Sequence, residues 1–247
     1  MKIVLVTGAT GGIGLEICKK FKKDNWEVVG TSLDKDYNSE FIDMYICKDL
    51  SLKNSPKEIL DLINQKYGKL DCLINNAASQ ICKPIWEMDL SEWNMIYNVN
   101  VRSIFLFVKY GLKLLKKEKG NIINIGSVHS VVTSNKIACY ASSKASIVGL
   151  TKNLAIELSE FGIRVNCVSP GAVNTKMLKD GLMRGHVGSG NMDKLLNNLA
   201  QSHLLKKIGK PEDIANLVHF LSDNKNSFIN GSNLLIDGGA HIRLSTE

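Results

Sequence analysis

The stretch Lys2-Ile3-Val4-Leu5-Val6-Thr7-Gly8-Ala9-Thr10-Gly11-Gly12-Ile13-Gly14-Leu15-Glu16 decides the fold. Its first half is an apolar run of strand length. Glycines break its second half, and from Ile13 onward apolar side chains return at helical spacing as Ile13, Ile17 and Phe21. The stretch therefore reads as strand, tight turn, helix. Such a turn aims free backbone N–H groups and the positive end of a helix at whatever sits above it, which suits a pyrophosphate. Gly8, Gly12 and Gly14 follow a G-x-x-x-G-x-G spacing rather than G-x-G-x-x-G. On this stretch alone, a glycine-rich turn without a ligand stays open as the alternative.

Working outward, short apolar runs alternate with helical patterns along the chain. Strands are expected at Ile3 to Val6, Glu27 to Thr31, Met44 to Ile46, Leu70 to Asn75, Asn121 to Gly126, Arg164 to Ser169 and Asn233 to Ile236. Crossovers of helix length between them predict an α/β fold: one parallel sheet of seven strands, doubly wound, with helices on both faces. Ligands of such sheets bind beyond the carboxyl ends of the strands, and Gly8, Asn76, Ser127 and Pro170 all follow strand ends. The whole chain, 1–247, reads as a single domain. The segment from Lys176 to Lys207 carries Gly181, Gly185, Gly188 and Gly190 between two short helical patterns. That composition suits a mobile flap over the site, with an exposed helical insertion as the alternative.

Chemistry enters with Tyr140-Ala141-Ser142-Ser143-Lys144 and with Ser127 thirteen positions before Tyr140. If Tyr140 to Leu158 is helical, the i, i+4 spacing stacks phenol and ammonium on one face. A free tyrosine has a pKa of about 10, too high for a base near neutrality, and a neighbouring cation lowers it. Tyr140 then becomes a general acid/base, with Lys144 as the cation that stabilises phenolate.

These residues together resemble the short-chain dehydrogenase/reductase family over nearly the whole chain. The motifs are Thr7-Gly8-Ala9-Thr10-Gly11-Gly12-Ile13-Gly14, Asn75-Asn76-Ala77-Ala78, Asn98-Val99-Asn100, Ser127, Tyr140, Lys144, and Pro170-Gly171 with Thr175. Ala78 departs from the usual glycine, adding a methyl group and no new chemistry. The resemblance implies a Rossmann-type domain, a nicotinamide cofactor and a catalytic tetrad of Asn100, Ser127, Tyr140 and Lys144. In that scheme Tyr140 exchanges the proton and Ser127 holds the same substrate oxygen. Lys144 also holds the nicotinamide ribose, and Asn100 holds a water that links Lys144 to solvent. Cofactor contacts are implied at Gly8, Thr10, Gly12, Ile13, Gly14, Ser32, Asp49, Leu50, Asn76, Tyr140, Lys144, Pro170, Gly171, Val173 and Thr175. The flap varies with specificity in this family, and the long helices, Ser91 to Lys117 and Tyr140 to Leu158, usually pair between subunits. Within the family the chain resembles sugar dehydrogenases and 3-oxoacyl carrier-protein reductases about equally.

NAD and NADP are distinguished at the end of the second strand, where an acid takes the ribose hydroxyls and an arginine meets a 2′-phosphate. Ser32 stands where the acid usually lies and Lys35 is close by, which tilts the reading toward NADP; Asp34 is the group that would tilt it back. His129, two residues after Ser127, is expected to face the pocket, either to bind a polar substrate or as a structural histidine. Arg184 and His186 in the flap carry the same two readings.

The gross numbers bound the rest. A chain of 247 residues, 44% hydrophobic and 22% charged, is an ordinary globular composition. The first strand begins at Ile3, and no stretch approaches the roughly 18 apolar residues of a membrane span, so a cytoplasmic protein with no membrane partner is expected. Cys18, Cys47, Cys72, Cys82, Cys139 and Cys167 form no Cys-x-x-Cys pair and read as buried thiols, without disulfide or metal. The surplus of 31 Lys and Arg over 24 Asp and Glu is dispersed. Its densest group, Lys113, Lys116, Lys117 and Lys119, ends an apolar helix, complements its dipole and lacks interleaved aromatics, which disfavours nucleic acid. Apolar residues on more than one face of the two long helices (Ile104 to Val108; Ile147, Val148, Leu150, Leu154) predict a homo-oligomer, a homotetramer in the resembled family. The leading reading is an NAD(P)-dependent oxidoreductase of a small secondary alcohol or ketone; a cofactor-binding regulator without turnover is the rival.

Overall fold

Ile3 and Leu5 point to one side of the first strand and Val4 and Val6 to the other, and each pair joins a different core cluster. This alternation builds a three-layer molecule. The computed structural model describes residues 1–183 and 191–242. Its strands are β1 (Ile3–Thr7), β2 (Glu27–Ser32), β3 (Met44–Cys47), β4 (Cys72–Asn75), β5 (Asn121–Ile125), β6 (Arg164–Pro170) and β7 (Asn233–Ile236). They form one sheet in the order β3-β2-β1-β4-β5-β6-β7, and every neighbouring pair is parallel. The strand order reverses between β1 and β4, where an open parallel sheet leaves a crevice at its carboxyl end.

One face of the sheet is covered by α2 (Ser55–Tyr67), α4 (Ser103–Glu118) and α5 (Ala138–Glu157), through Ile59, Ile63, Phe107, Leu115 and Leu154. The other is covered by α1 (Gly12–Lys23) and α8 (Pro211–Ser222), through Ile17, Phe21, Ile214, Val218 and Leu221. Burying each of these large side chains contributes roughly 1.5–3 kcal/mol. The expected strands are present with ends displaced by one or two residues; Leu70, read as strand, is core but precedes β4.

Two expectations about helices change. The run from Ser91 to Lys117 is two α-helices, α3 (Leu90–Tyr97) and α4, joined by a π turn over Asn98–Arg102 in which Ser103 N–H reaches back to the Asn98 carbonyl. The extra residue of that turn sets Asn100 into the interior. Between β6 and α8 lie α6 (Lys176–Met183) and α7 (Met192–Ser202). Arg184, Gly185, His186, Gly188 and Gly190 of the expected flap lie outside the described residues.

Cysteine burial also departs from expectation. Cys18, Cys72, Cys139 and Cys167 are buried, but Cys47 is exposed on the edge strand β3 and Cys82 is only partly buried. Cys139, next to Tyr140 in sequence, has its thiol 4.0 Å from the Trp93 carbonyl.

Candidate active site

The loop after β1 reaches α1 through backbone that only glycine permits. Gly8 sits at φ +63°, and a Cβ on Gly14 would lie 2.1 Å from the Gly8 carbonyl oxygen. Gly12 lies under Thr175, whose Cγ2 would be 3.0 Å from a Cβ there. The first turn of α1 has no side-chain cap and no acidic residue, and Ile13 turns its side chain toward the core. Its opening N–H groups have no capping side chain, so they make an anion-binding end. Asn76 fixes the loop from the side: its Nδ2 donates to the Thr7 and Gly8 carbonyls at 2.9 and 3.1 Å, while the Thr7 hydroxyl accepts from the Asn76 and Ala77 N–H groups. This cradle fits the pyrophosphate of a dinucleotide.

At the end of β2, the Thr10 hydroxyl is bonded to the Ser32 hydroxyl at 2.8 Å and to the Asp34 carboxylate. Asp34, not Lys35, is thus the charged group turned toward the glycine loop. At the end of β3, Asp49 accepts from Ser51 N–H at 2.8 Å, closing its own turn. Leu50 spends its side chain on the core, and the Arg102 guanidinium ties this loop down through the Ser51 carbonyl. Beyond β6, Gly171 N–H donates to the Ile236 carbonyl at 3.0 Å, and a Cβ on Gly171 would lie 2.6 Å from Asp237 Cβ. Val173 buries its side chain and bridges to Gly209, and the Thr175 hydroxyl accepts from Leu178 N–H at 3.3 Å, capping α6. Pro170, Gly171, Val173 and Thr175 thereby stand at the end of β6, across the β1–β4 crevice from Ser32 and Asp34 at the end of β2.

The tetrad converges on the same crevice. Lys144 is 2% exposed, and its Nζ donates to the Ile125 carbonyl at 2.8 Å. Burial pushes its ammonium down from the ordinary 10.5 to about 8, opposed by the neighbouring Cys167 thiol. Tyr140 is buried one turn earlier on α5, with Lys144 Nζ 5.6 Å from its ring centroid. Burial pushes the phenol up from 10 to about 12; the hydrogen-bonding Ser127 hydroxyl pulls it back, and the Cys82 thiol adds to the rise. The expectation that Lys144 lowers the Tyr140 pKa therefore fails for the protein alone. Desolvation of the phenol dominates.

Asn100 is engaged by protein on both ends of its amide. Its Oδ1 accepts from Ser79 N–H at 2.7 Å, and its Nδ2 donates to the Ser79 carbonyl and the Ser143 hydroxyl, each at 3.0 Å. Ser143 in turn donates to the Tyr140 carbonyl at 2.7 Å. The Asn100 side chain thus clasps the loop after β4 to the second turn of α5. Ser127 accepts from His129 N–H at 3.2 Å, and the His129 ring meets the Tyr140 ring edge-on with centroids 6.0 Å apart.

Sequence reading missed Cys82 as a neighbour of Tyr140, and Gln80 beside that thiol. Gln80 Nε2 lies 3.1 Å from the Cys82 thiol, and Cys82 packs on Ile137, Tyr140 and Ala141. The only available signal was their position just after Asn75-Asn76-Ala77-Ala78, at the carboxyl end of β4.

Comparison with known proteins agrees with this geometry. The family described as enoyl-(acyl carrier protein) reductase matches residues 8–241. A 3-oxoacyl-(acyl-carrier-protein) reductase of Buchnera aphidicola subsp. Schizaphis graminum is 34% identical over 98% of this chain and 98% of its own. The ligand-free aldohexose dehydrogenase of Thermoplasma acidophilum is 30% identical with a TM-score of 0.93, over 99% of this chain and 95% of that one. The structure of ElxO with NADP bound is 29% identical with a TM-score of 0.86, over 98% and 99%. Among the described residues, no helix is long and apolar enough to cross a membrane, and no cluster of three or more His, Cys, Asp or Glu residues is suited to a metal.

Proposed function

This chain belongs to the short-chain dehydrogenase/reductase family and is an NAD(P)-dependent oxidoreductase acting between alcohols and ketones, and we propose that Tyr140 is its proton donor and acceptor. The observation that carries this assignment is a buried phenol with the Ser127 hydroxyl on it and a buried ammonium one helical turn away. With its phenol at about 12, Tyr140 holds its proton at neutral pH and is poised to give it to a carbonyl oxygen. Ser127 orients that oxygen. Lys144 supplies positive charge beneath the phenol as the proton leaves, and Asn100 acts by holding the Ser79 loop against α5. A nicotinamide cofactor bound by these residues would supply the hydride or take it. For its binding we assign Gly8, Gly12, Ile13 and Gly14 to the pyrophosphate; Thr10, Ser32 and Asp34 to the adenosine ribose; Asp49 and Leu50 to the adenine; and Asn76, Pro170, Gly171, Val173 and Thr175, with Tyr140 and Lys144, to the nicotinamide end. The chain acts as one domain, 1–247, with α6, in the described part of the expected flap, over the substrate.

The test is Tyr140→Phe. Nucleotide binding is retained and turnover falls by about two to four orders of magnitude, because only the proton donor is removed. Undiminished turnover refutes the assignment.

Asp34 bears on cofactor choice. The sequence tilt toward NADP rested on Ser32 and Lys35, but a carboxylate held at Thr10 and Ser32 accepts from ribose hydroxyls and meets a 2′-phosphate as a like charge. We therefore assign NAD as the preferred nucleotide.

A homotetramer in the cytoplasm completes the proposal. Ile104, Leu106, Phe107, Val108, Ile147 and Leu154 are used by the chain's own core, while Phe105 and Tyr110 on α4 and Ile156 on α5 are exposed. Leu205, Phe220 and the fully exposed Phe228 are others, contributed by the other end of the chain. Large apolar side chains left exposed on these helices support an oligomer. Six free cysteines suit a reducing compartment.

A further inference from the structure

We infer that Ser169 of β6 and Asn233 of β7 are positioning residues for the proton step, seating the end of β5 so that Ser127 stays on the Tyr140 phenol. This rests on the oxidoreductase reading above with Tyr140 at its centre. The inference comes from what fills the place of a missing side chain. Gly126 stands between Ile125, whose carbonyl accepts from Lys144 Nζ at 2.8 Å, and Ser127, whose hydroxyl is bonded to the phenol. A Cβ on Gly126 would lie 2.5 Å from Ser169 Oγ and 2.8 Å from Cys167 Sγ. The hydroxyl and the thiol therefore rest directly on the Gly126 backbone.

That contact matters because the sheet ends there. Ile125 is held by its pairing with Val168 and by Lys144, and Gly126 N–H still donates to the Val168 carbonyl at 2.7 Å. Ser127 then continues in extended backbone, at φ −167° and ψ 155°, beyond the last residue of β5. Gly126 is thus the final seat before the catalytic hydroxyl. Cys167 and Ser169 alternate with Val168 along β6 and so share one face, where Cys167 packs on Ile104 of α4 and Ile147 of α5.

The seat is itself anchored. Ser169 is fully buried, and its hydroxyl donates to Asn233 Oδ1 at 2.6 Å. A hydroxyl carries one proton, so this bond spends it and fixes the rotor with its oxygen against Gly126. Asn233 lies opposite Cys167 in the register of β6 with β7. The line Asn233, Ser169, Gly126 then leads to Ser127, and small misplacement of a group that orients substrate lowers the rate by up to about a hundredfold. The glycine cradle after β1 is separated from β5 by β4 and takes no part in this line.

The experiment is a double-mutant cycle. The full-length enzyme is offered cyclohexanone, 2-butanone and ethyl acetoacetate with NADH and NADPH, and the fastest pair is followed in single turnovers. Ser169→Ala and Asn233→Ala should each lower the rate about tenfold and leave nucleotide affinity by fluorescence within about threefold. Asn233→Asp keeps an acceptor oxygen and should stay within about threefold of wild type. In a Ser127→Ala background the same two alanine changes should cost less than about twofold, because the group they position is gone. Should Ser169→Ala not fold, Asn233→Ala with its aspartate control carries the same test from a partly exposed position. Alanine variants as fast as wild type overturn the inference. Equal fractional losses with and without the Ser127 hydroxyl also overturn it, since a general loosening of the fold, or an effect through the neighbouring Pro170 and Gly171, gives that result. No reduction of any of these ketones by the wild type with either nucleotide counts instead against the oxidoreductase reading, and takes this inference with it.

Discussion

Replacing Lys144 with methionine should remove activity and, near neutral pH, relieve a strain on the fold. The ammonium is 2% exposed, and its one described hydrogen bond goes to the Ile125 carbonyl. Burial lowers its pKa from 10.5 to about 8. At about 1.36 kcal/mol for each tenfold in the proton equilibrium, that difference makes the charged form about 3 kcal/mol harder to hold in the fold than in the unfolded chain. Methionine has a similar unbranched shape and no charge. Its removal of the donor leaves the Ile125 carbonyl orphaned, a cost of about 1–3 kcal/mol, so near pH 7 the two effects nearly offset. The pH dependence separates them. Below about 8 both native and unfolded wild-type chains carry the proton and the penalty is full. Between about 8 and 10.5 the unfolded chain still binds the proton and the native one does not, so wild type gains stability relative to the variant as pH rises. From pH 7 to pH 9.5 the penalty falls by roughly half, while the orphaned carbonyl is the same at both. Urea unfolding of wild type and Lys144→Met at one protein concentration, at both pH values, reads this difference directly. A wild-type-minus-variant stability that is flat with pH, or that falls as pH rises, refutes the claim that desolvation governs this ammonium.

Gly14→Ala should lower stability by about 1–3 kcal/mol and abolish nucleotide binding, because its Cβ would sit 2.1 Å from the Gly8 carbonyl and force the loop open; nucleotide fluorescence titration and urea unfolding check both. Asp34→Asn should shift preference from NADH toward NADPH by about tenfold, equivalent to about 1.4 kcal/mol, and a wild type already favouring NADPH would reverse the assignment of Asp34. Carbonyl reduction should decline as pH rises through about 8, where Lys144 loses its proton, while Tyr140 remains a proton donor until about 12; a kcat/KM profile level from pH 6 to pH 10 would remove Lys144 from the proton step. Phe105→Glu with Ile156→Glu should reduce the assembly in light scattering without changing the circular dichroism spectrum, since both side chains are exposed in the single chain.

The sheet was legible because its signals are local. Val4 and Val6 alternate with Ile3 and Leu5 whatever the remainder of the chain does, and Gly8 and Gly14 record in sequence a carbonyl that tolerates no Cβ. The order of the tetrad was legible for the same reason, as the i, i+4 spacing puts Tyr140 and Lys144 on one helical face before any packing is known. What escaped depends on distance in the chain. Whether a phenol pKa ends low or high turns on how deeply tertiary packing buries it, and here burial raises it. Whether Lys35 or Asp34 faces the ribose turns on Thr10, on a different turn of the chain. The apolar run Ile104 to Val108 suggested a subunit face, yet most of it meets the chain's own core, and Phe105 alone of the five is left exposed. Gln80 and Cys82 show no motif, because their meaning comes from Gly181 above them and Tyr140 beside them. The reaction class therefore lies in short-range pattern, whereas the choice of substrate and cofactor lies in side chains brought together from separate loops, and it is those loops, not the glycines or the tetrad, that experiments on specificity must change.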